Sequence, residues 1–367
     1  MTAQGPKVLI MAAGTGGHVF PALSIADCLL KRGAEVHWLA TRSGMENELL
    51  GNTTIPLHQI SVSGLRGSGM WRKLMAPIML TKALTQSLSV LRTLRPDCVL
   101  GMGGFVCGPA GIAAKMLRIP LFIHEQNAVA GLTNRLLHRI SRRTFTGFPD
   151  AFVQSTRVEF AGNPLRADIA ALHGQEKTDH DRYRPLRLLV LGGSQGAAAI
   201  NQVIPELIAN WDGNKPEVIH QTGARNLEQT LNLYSSLGVE PGEKYQVKPF
   251  IGDMAASYAW ADAVICRSGA STVSELAAAG LPAILVPYPY HKDEQQVHNG
   301  NWLVKAGAAR LIRQEEFSAR TVLPVLKLWD VDREMLWKMR EQALALAIID
   351  AGDRIARRCL EVVDDNA

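Results

Sequence analysis

Aromatic side chains are scarce, 6% of the 367 residues, and no motif that reads RNA or DNA accompanies them. Platforms for base stacking are therefore few, which argues against a non-catalytic nucleic-acid binder and for no nucleic acid among the partners. Charged residues are also few, 20% against 47% hydrophobic, a balance that excludes a disordered chain and at this length predicts about two domains. The five cysteines (Cys28, Cys98, Cys107, Cys266, Cys359) lie far apart without a CxxC pair. That excludes a disulfide frame or a structural zinc site and fits a reducing compartment. No segment supplies the roughly 18 uninterrupted apolar residues of a spanning helix. The N-terminal "MTAQGPKVLIMAAG" has an apolar run too short for a secretory signal and leads straight into strand and turn chemistry, so the expectation is a cytoplasmic chain.

Acids are almost missing from one third of the protein. Between Leu49 and Pro149 only Asp97 and Glu125 face twelve Lys and Arg, so this block carries +10 while the remainder carries −5 of the formal +5. Such a block attracts phosphates, whether of nucleotide, nucleic acid or lipid headgroup.

What the sequence does contain is alternation. Short β-branched or apolar runs, "KVLIMA", "EVHWLAT", "CVLGMGG", "LFIHEQN" and "RTFTGF", then "RLLVLGGS", "EVIHQTG", "YQVKPFI", "AVICRSG" and "AILVPYP", are separated by helical stretches. The pattern predicts an α/β protein with two Rossmann-like parallel sheets covered on both faces. The polar stretch after "NPLRADIAALHG" reads as the linker. Expected domains are residues 1–164 and 165–347, with a last helix over about 348–367, broken off near Gly352, crossing back to the first. Ligands in such folds sit at the carboxyl ends of strands, so the substrate is expected in a deep cleft between the two.

Three glycine-rich turns follow strands: "GTGGH", "GMGGFVCGPAG" and "GGSQGA". Each alone could be ordinary tight-turn chemistry. A dinucleotide site would add an acid at the end of the second strand, where "HWLATRSG" offers Ala40, Thr41 and Arg42, so a nicotinamide cofactor is not expected. Backbone N–H groups at a helix N-terminus would still favour a diphosphate. The densest constellation is "CRSGASTVSELAAAGLPAILVPYPYHKDEQQ". Its Ser271 or Thr272 reads as a helix cap and Glu275 as helix chemistry. The same residues also suit a nucleoside diphosphate: Arg267 and hydroxyls for phosphate, Glu275 for ribose hydroxyls, Gln295 and Gln296 for a sugar.

Taken together, "GTGGHVFPALSIA", "GMGGFVCGPAG", "HEQNAVAGLTNRLL", "GNPLR", "LGGSQGA", "CRSGASTVSELAAAGLP" and "HKDEQQ" resemble the signature segments of the MurG family of bacterial glycosyltransferases across nearly the whole chain. The resemblance implies a GT-B fold and an inverting, metal-independent transfer of N-acetylglucosamine from UDP-GlcNAc to the 4-hydroxyl of the muramoyl sugar of lipid I, which makes lipid II. Carried over residue by residue, it implies donor contacts from Thr15, Gly16, Gly17, Asn127, Arg166, Ser194, Ile251, Ala270, Ser271, Thr272, Val273, Ser274, Glu275 and Gln296, with Ile251 near uracil and Glu275 on the ribose. Phe105 stands where members commonly carry Tyr, so no proton transfer is assigned there. No cofactor is expected.

Inverting transfer needs a base for the incoming hydroxyl, and an imidazole titrates in the right range. His18 is the first candidate; Glu125 and His124, in "HEQN", are its rivals. The pairs Asp179/Asp181 and Asp330/Asp332 do not fall at strand ends, so helix N-termini, Arg267 and backbone amides are expected to meet the leaving diphosphate. In "GMWRKLMAPIMLTKALTQSLSVLRTLRP", Trp71, Leu74, Met75, Ile78 and Met79 alternate with Arg72, Lys73 and Lys82. A core helix reads the same way, but the basic setting and the lipid acceptor of the resembled family favour peripheral attachment to an anionic membrane, on the cytoplasmic face of the inner membrane, where cell-wall-synthesis proteins are further partners. The alternative activity is that of a UDP-N-acetylglucosamine 2-epimerase, which binds the same nucleotide and needs no second substrate.

Overall fold

The computed structural model describes residues 5–14, 16–42, 44, 46–51, 53–62, 70–175, 184–193, 196–291 and 293–364, apart from the side chains of 70–75 and 362–364. The chain divides into two compact units, Met1–Arg166 with Ile348–Ala367, and Ala167–Ala347.

In the first unit β1 (Lys7–Met11), α1 (Gly16–Lys31), β2 (Glu35–Thr41), α2 (Glu46–Leu50), β3 (Leu57–Ile60), α3 (Met70–Leu94), β4 (Cys98–Gly101), α4 (Cys107–Met116), β5 (Leu121–Glu125), α5 (Leu132–His138), β6 (Arg143–Thr146) and β7 (Val158–Phe160) follow one another. Its seven strands are ordered β3-β2-β1-β4-β5-β6-β7, all neighbours parallel. Successive side chains of a strand point to opposite faces, and β1 shows the consequence. Val8 and Ile10 pack with Ile25 and Leu29 of α1, whereas Leu9 and Met11 pack with Ala83 of α3 and Ala110 of α4. Both faces are covered, which is why the strand reads as an unbroken apolar run.

The second unit runs α6 (Ala167–Ala170), β8 (Arg187–Leu191), α7 (Ala198–Ala209), β9 (Glu217–Gln221), α8 (Leu227–Ser236), β10 (Tyr245–Lys248), α9 (Met254–Trp260), β11 (Ala263–Cys266), α10 (Ala270–Ala279), β12 (Ala283–Leu285), α11 (Gln295–Lys305), β13 (Ala309–Leu311), α12 (Ala319–Val331) and α13 (Arg333–Leu346). Its parallel sheet is ordered β10-β9-β8-β11-β12-β13. Leu188 and Val190 of β8 share a core with Ile200 and Ile204 of α7 and Val322 and Trp329 of α12.

The last helix, α14 (Ala351–Asp364), belongs to the first unit and packs on α1. The chain breaks over 347–350 rather than at Gly352, which lies inside α14. A Cβ on Gly352 would come within 3.3 Å of the Cys28 sulfur, so the glycine marks a close helix crossing. Arg32 of α1 closes the contact with a forked bond to Asp353, 2.7 and 2.8 Å from Nη2.

In each sheet the chain order reverses once at the centre, between β1 and β4 and between β8 and β11. Ligands of open parallel sheets bind beyond the carboxyl ends of strands at such reversals. Both reversals carry glycine turns.

Candidate active site

At the first reversal the turns after β1 and β4 lie against one another. Gly103 (φ +104°) and Gly104 (φ +84°) take conformations that L side chains avoid. A Cβ on Gly104 would stand 2.4 Å from the Ala13 carbonyl oxygen, and one on Gly103 would stand 2.8 and 2.9 Å from Cδ2 and Nε2 of His18. The histidine, in the first turn of α1 and half-buried, therefore packs its ring edge on bare backbone. The Cys107 sulfur lies 2.9 Å from the Gly103 carbonyl and 3.1 Å from that of Met11, tying the two turns together. Burial pushes this thiol up to about 12, so it is a strut and not a nucleophile.

Burial also pulls His18 below its ordinary 6.5, opposed by the negative charge of Glu125 and by the Ala13 carbonyl. Nδ1 is buried without a hydrogen-bond partner. At neutral pH the ring is thus an uncharged imidazole, the form a base must have.

Glu46, an acid that the sequence reading passed over, holds this turn from below. Its carboxylate is fully buried. Oε2 accepts from the Gly14 N–H (3.2 Å), while Oε1 accepts from the Thr41 N–H (3.2 Å) and hydroxyl (2.9 Å). One carboxylate thereby joins the β1 turn to the end of β2. Gly44 makes room for it, since any Cβ there would fall on the Glu46 carboxylate.

Glu125 ends β5, almost wholly buried. Oε1 accepts from the N–H (3.0 Å) and Nδ2 (3.2 Å) of Asn127, and Oε2 from the Gly131 N–H (3.0 Å) and Asn134 Nδ2 (2.9 Å). Four donors on one carboxylate make it the organiser of the loop that carries Asn127. Its neighbour His124 donates from Nε2 to the Gly162 carbonyl at 2.9 Å, and burial lowers the pKa of this imidazole to about 4. Of the three residues weighed as base, Glu125 is engaged by four donors and His124 Nε2 by the Gly162 carbonyl, whereas His18 sits at the glycine turn itself. Phe105 is half-exposed beside this turn and brings no polar atom. Arg166 is half-buried at the end of the unit.

In the second unit the turn after β8 includes Gly193 (φ +77°) and Gly196 (φ +75°). A Cβ on Gly196 would meet the Thr222 carbonyl at 2.3 Å. After β11, α10 opens at Gly269 with no side-chain cap, and Ser271 and Thr272 lie within its first turn and do not cap it. The α4 and α7 starts, at Val106 and Ala197, are likewise without side-chain caps, whereas Asp253, Ser318 and Asp332 cap α9, α12 and α13. At the strand-end turns the first amides of the helices are not taken up by a capping side chain, which is the arrangement that receives an anion. The other end of α10 is closed: Gly280 is left-handed and the Arg340 guanidinium donates to the Ala279 carbonyl at 2.9 Å.

Glu275 projects from the second turn of α10 and its Oε2 accepts from the Tyr258 hydroxyl at 2.9 Å. The Arg267 guanidinium donates from Nη1 to the carbonyls of Val286 and Pro287 (both 3.1 Å) and from Nη2 to Gln314 Oε1 (2.6 Å). It braces the loop after β12. Gln296 accepts at Oε1 from the Tyr288 N–H (2.9 Å). Gln295 opens α11; Ile251, buried, and Phe250, exposed, follow β10. Ala270, Val273 and Ser274 are buried in α10. Gly16 and Gly17 begin α1.

Thr15, Ser194, Gln195, Asp179 and Asp181 lie outside the described residues, as do the side chains of Trp71, Arg72, Lys73, Leu74 and Met75. Asp332 caps α13 through the Met335 N–H (3.0 Å) and Asp330 pairs with Arg333 at 2.7 Å. Among the described residues no three His, Cys, Asp or Glu gather as metal ligands.

Comparison with known proteins gives consistent results for the two units. Residues 8–146 match the glycosyltransferase family 28 N-terminal domain and residues 187–354 its C-terminal domain. A UDP-N-acetylglucosamine–N-acetylmuramyl-(pentapeptide) pyrophosphoryl-undecaprenol N-acetylglucosamine transferase of Marinobacter nauticus is 48% identical over 359 residues, 98% of each chain. Its namesake from Yersinia enterocolitica is 47% identical over 97% of this chain and 98% of its own. Among solved structures, MurG of Acinetobacter baumannii superposes with a TM-score of 0.82 at 37% identity, covering 97% of this chain and 99% of that one. A UDP-GlcNAc 2-epimerase of Neisseria meningitidis, solved with UDP-GlcNAc, reaches 0.67 at 17% identity over 97% and 100% of the two chains, a likeness of fold alone.

Proposed function

The chain belongs to the MurG family within glycosyltransferase family 28, and from that premise we propose how its residues divide the work. The enzyme is an N-acetylglucosaminyltransferase that moves N-acetylglucosamine from UDP-GlcNAc to lipid I, forming lipid II for peptidoglycan. What carries this is 48% identity to such a transferase along 98% of both chains. The 2-epimerases share the fold only.

The second unit takes the nucleotide. Ile251 faces uracil, Glu275 the ribose, Gln295 and Gln296 the transferred sugar. Ser194 with the uncapped first turn of α10, from Ala270 through Ser271 and Thr272 to Val273 and Ser274, receives the diphosphate. Thr15, Gly16, Gly17, Asn127 and Arg166 add contacts from the first unit. The 4-hydroxyl of the muramoyl sugar gives its proton to Nε2 of His18 as its oxygen bonds the anomeric carbon. The bond from that carbon to the diphosphate breaks on the opposite face, and UDP leaves with the electron pair. Negative charge growing on UDP meets fixed N–H dipoles, which need no reorganisation as the reaction proceeds. Arg267 shapes this pocket by holding the loop after β12. Glu125 acts through the Asn127 loop and through its field on His18.

The decisive assay is UDP release from UDP-GlcNAc with and without a lipid I analogue, in the parent and in His18→Ala. Release should need the acceptor and should fall by about two to four orders of magnitude in the variant. Near-normal turnover of His18→Ala would remove the base assignment, and UDP-N-acetylmannosamine formed without acceptor would favour an epimerase.

The acceptor lipid resides in a bilayer, and the first unit suits one. No described helix is long and apolar enough to cross a membrane. On the neighbouring helices α3, α4 and α5, Ile78, Leu80, Ile112, Met116, Leu132 and Leu136 are exposed. Exposed Lys82, Lys115, Arg118, Arg135 and Arg139 accompany them. This is the composition of a peripheral surface for the cytoplasmic leaflet, each base worth about 1 kcal/mol on anionic lipid. Binding to anionic vesicles should fall with salt and should be absent on neutral ones; equal partition at all salt concentrations would contradict it.

A further inference from the structure

Tyr258 carries no motif in the sequence, yet its side chain grips the Glu275 carboxylate. Its ring is buried in α9 and its hydroxyl donates to Glu275 Oε2 at 2.9 Å. The Cys266 thiol, buried at the end of β11, is pushed up to about 12 by burial and, to a lesser degree, by the Glu275 charge. The Tyr258–Glu275 bond is partly buried, where a charge-assisted hydrogen bond is stronger than in water.

A glutamate has three side-chain torsions, and a bound partner must stop all of them. A phenol that already holds one oxygen fixes the plane of the carboxylate before any ligand arrives, which lowers the ordering cost at binding. A carboxylate so held is suited to two neighbouring hydroxyls, because it is acceptor-only and both donors of a vicinal diol can reach it. Ile251 lies on the approach to the same helix, whose first turn is fastened by Asp253 Oδ1 accepting from the Ala256 N–H at 2.8 Å. One short helix thus carries both the base-side loop and the hydroxyl that orients the ribose-side acid.

We infer that Tyr258 is a positioning residue for the nucleotide sugar: by fixing the Glu275 carboxylate on the 2′,3′-diol, it makes the second unit select ribonucleotides over 2′-deoxyribonucleotides. The inference rests on the ribose placement proposed above. A site built for two hydroxyls rejects an analogue that lacks one, since an acceptor is left poorly paired.

Calorimetric titration of UDP and of 2′-deoxy-UDP against the full-length protein, Tyr258→Phe and Glu275→Ala separates the claims. The parent should prefer UDP by about tenfold. Tyr258→Phe keeps the buried ring, and it should weaken UDP about three- to tenfold while weakening 2′-deoxy-UDP less, so that the preference narrows. Glu275→Ala should abolish the preference. If Tyr258→Phe weakens both ligands equally, or neither, while Glu275→Ala removes the preference, Tyr258 merely packs and the positioning role is overturned, with the ribose reading left standing. If Glu275→Ala keeps the parental preference, the ribose reading fails and this inference falls with it.

Discussion

Substituting Gly103 by Ala would test whether the glycine at the end of β4 exists to seat the base. The new methyl would stand 2.8 Å from His18 Cδ2, and ordinary contact begins near 3.4 Å, so the ring must retreat by about 0.6 Å or more. It has little freedom to do so on the other side, where Nδ1 is buried. Moving the backbone instead would strain a turn whose carbonyl faces the Cys107 sulfur at 2.9 Å. A misplacement of about 1 Å in a reacting group costs on the order of a hundredfold in rate, so kcat should fall roughly ten- to hundredfold. The KM for UDP-GlcNAc should change less than kcat, because most of the donor contacts proposed above lie on the second unit. Alanine at φ +104° also strains the backbone, a cost of about 1–3 kcal/mol in stability. Gly33→Ala supplies the control: its φ is +82°, yet a Cβ there meets nothing within 4 Å. Both variants should lose melting temperature, but only Gly103→Ala should lose turnover in a continuous assay of UDP release on a lipid I analogue. Equal turnover in the two would refute the seating argument.

Burial lowers His18, and the base must be neutral, so kcat/KM should be retained above an apparent value lower than 6.5 and lost as pH falls through it; Glu125→Gln, which removes the opposing charge, should move that limb lower still. An upward movement in the pH–rate profile would contradict the assignment. Glu46→Ala strands three donors that now share one buried carboxylate, each worth about 1–3 kcal/mol if left unpaired. Thermal unfolding should show a large loss, and whatever folds should have a lowered kcat. His124 and His220 are buried neutral, lowered by desolvation to about 4 and about 3. Above pH 6.5 neither state binds the proton, so they contribute no pH dependence. As pH falls toward 4 the unfolded chain takes up protons that the native chain refuses, costing each unit about 3 kcal/mol by pH 4. Urea unfolding from pH 7 to pH 4 should show the decline, reduced in His124→Gln, and a flat profile would be the contrary result. If helix N-termini and amides meet the diphosphate as proposed, activity should survive thorough chelation with EDTA; a loss restored by magnesium would oppose that.

Much of the fold was legible because both sheets are buried on both faces. Central strands such as "KVLIM" and "AVIC" are unbroken apolar runs, and the turns after them need glycine, so strand, turn and helix start announce themselves in order. Three strands did not, β3, β7 and β13, and each is a short edge strand of three or four residues. An edge strand has one neighbour and a partly exposed face, so "LHQI", "VEF" and "ARL" carry little apolar pattern to read.

Side-chain roles divide along the same line. His18 and Glu275 are visible in sequence because they follow polar turns at strand ends, Glu125 because it ends a strand in "HEQN", and Gln296 because it lies in the "HKDEQQ" segment after β12. Glu46 and Tyr258 carry no such signal; their contacts to Gly14 and Glu275 span 32 and 17 residues of chain. Arg267 shows the converse, since its motif suggests phosphate while its donors are committed to carbonyls brought in from another loop. Sequence by itself determined most of the strands, the glycine turns that follow them, and the family. Only the folded chain decided which donors and acceptors those turns still have to offer, because hydrogen bonds are filled by whatever tertiary packing brings within about 3 Å, and no periodicity records that.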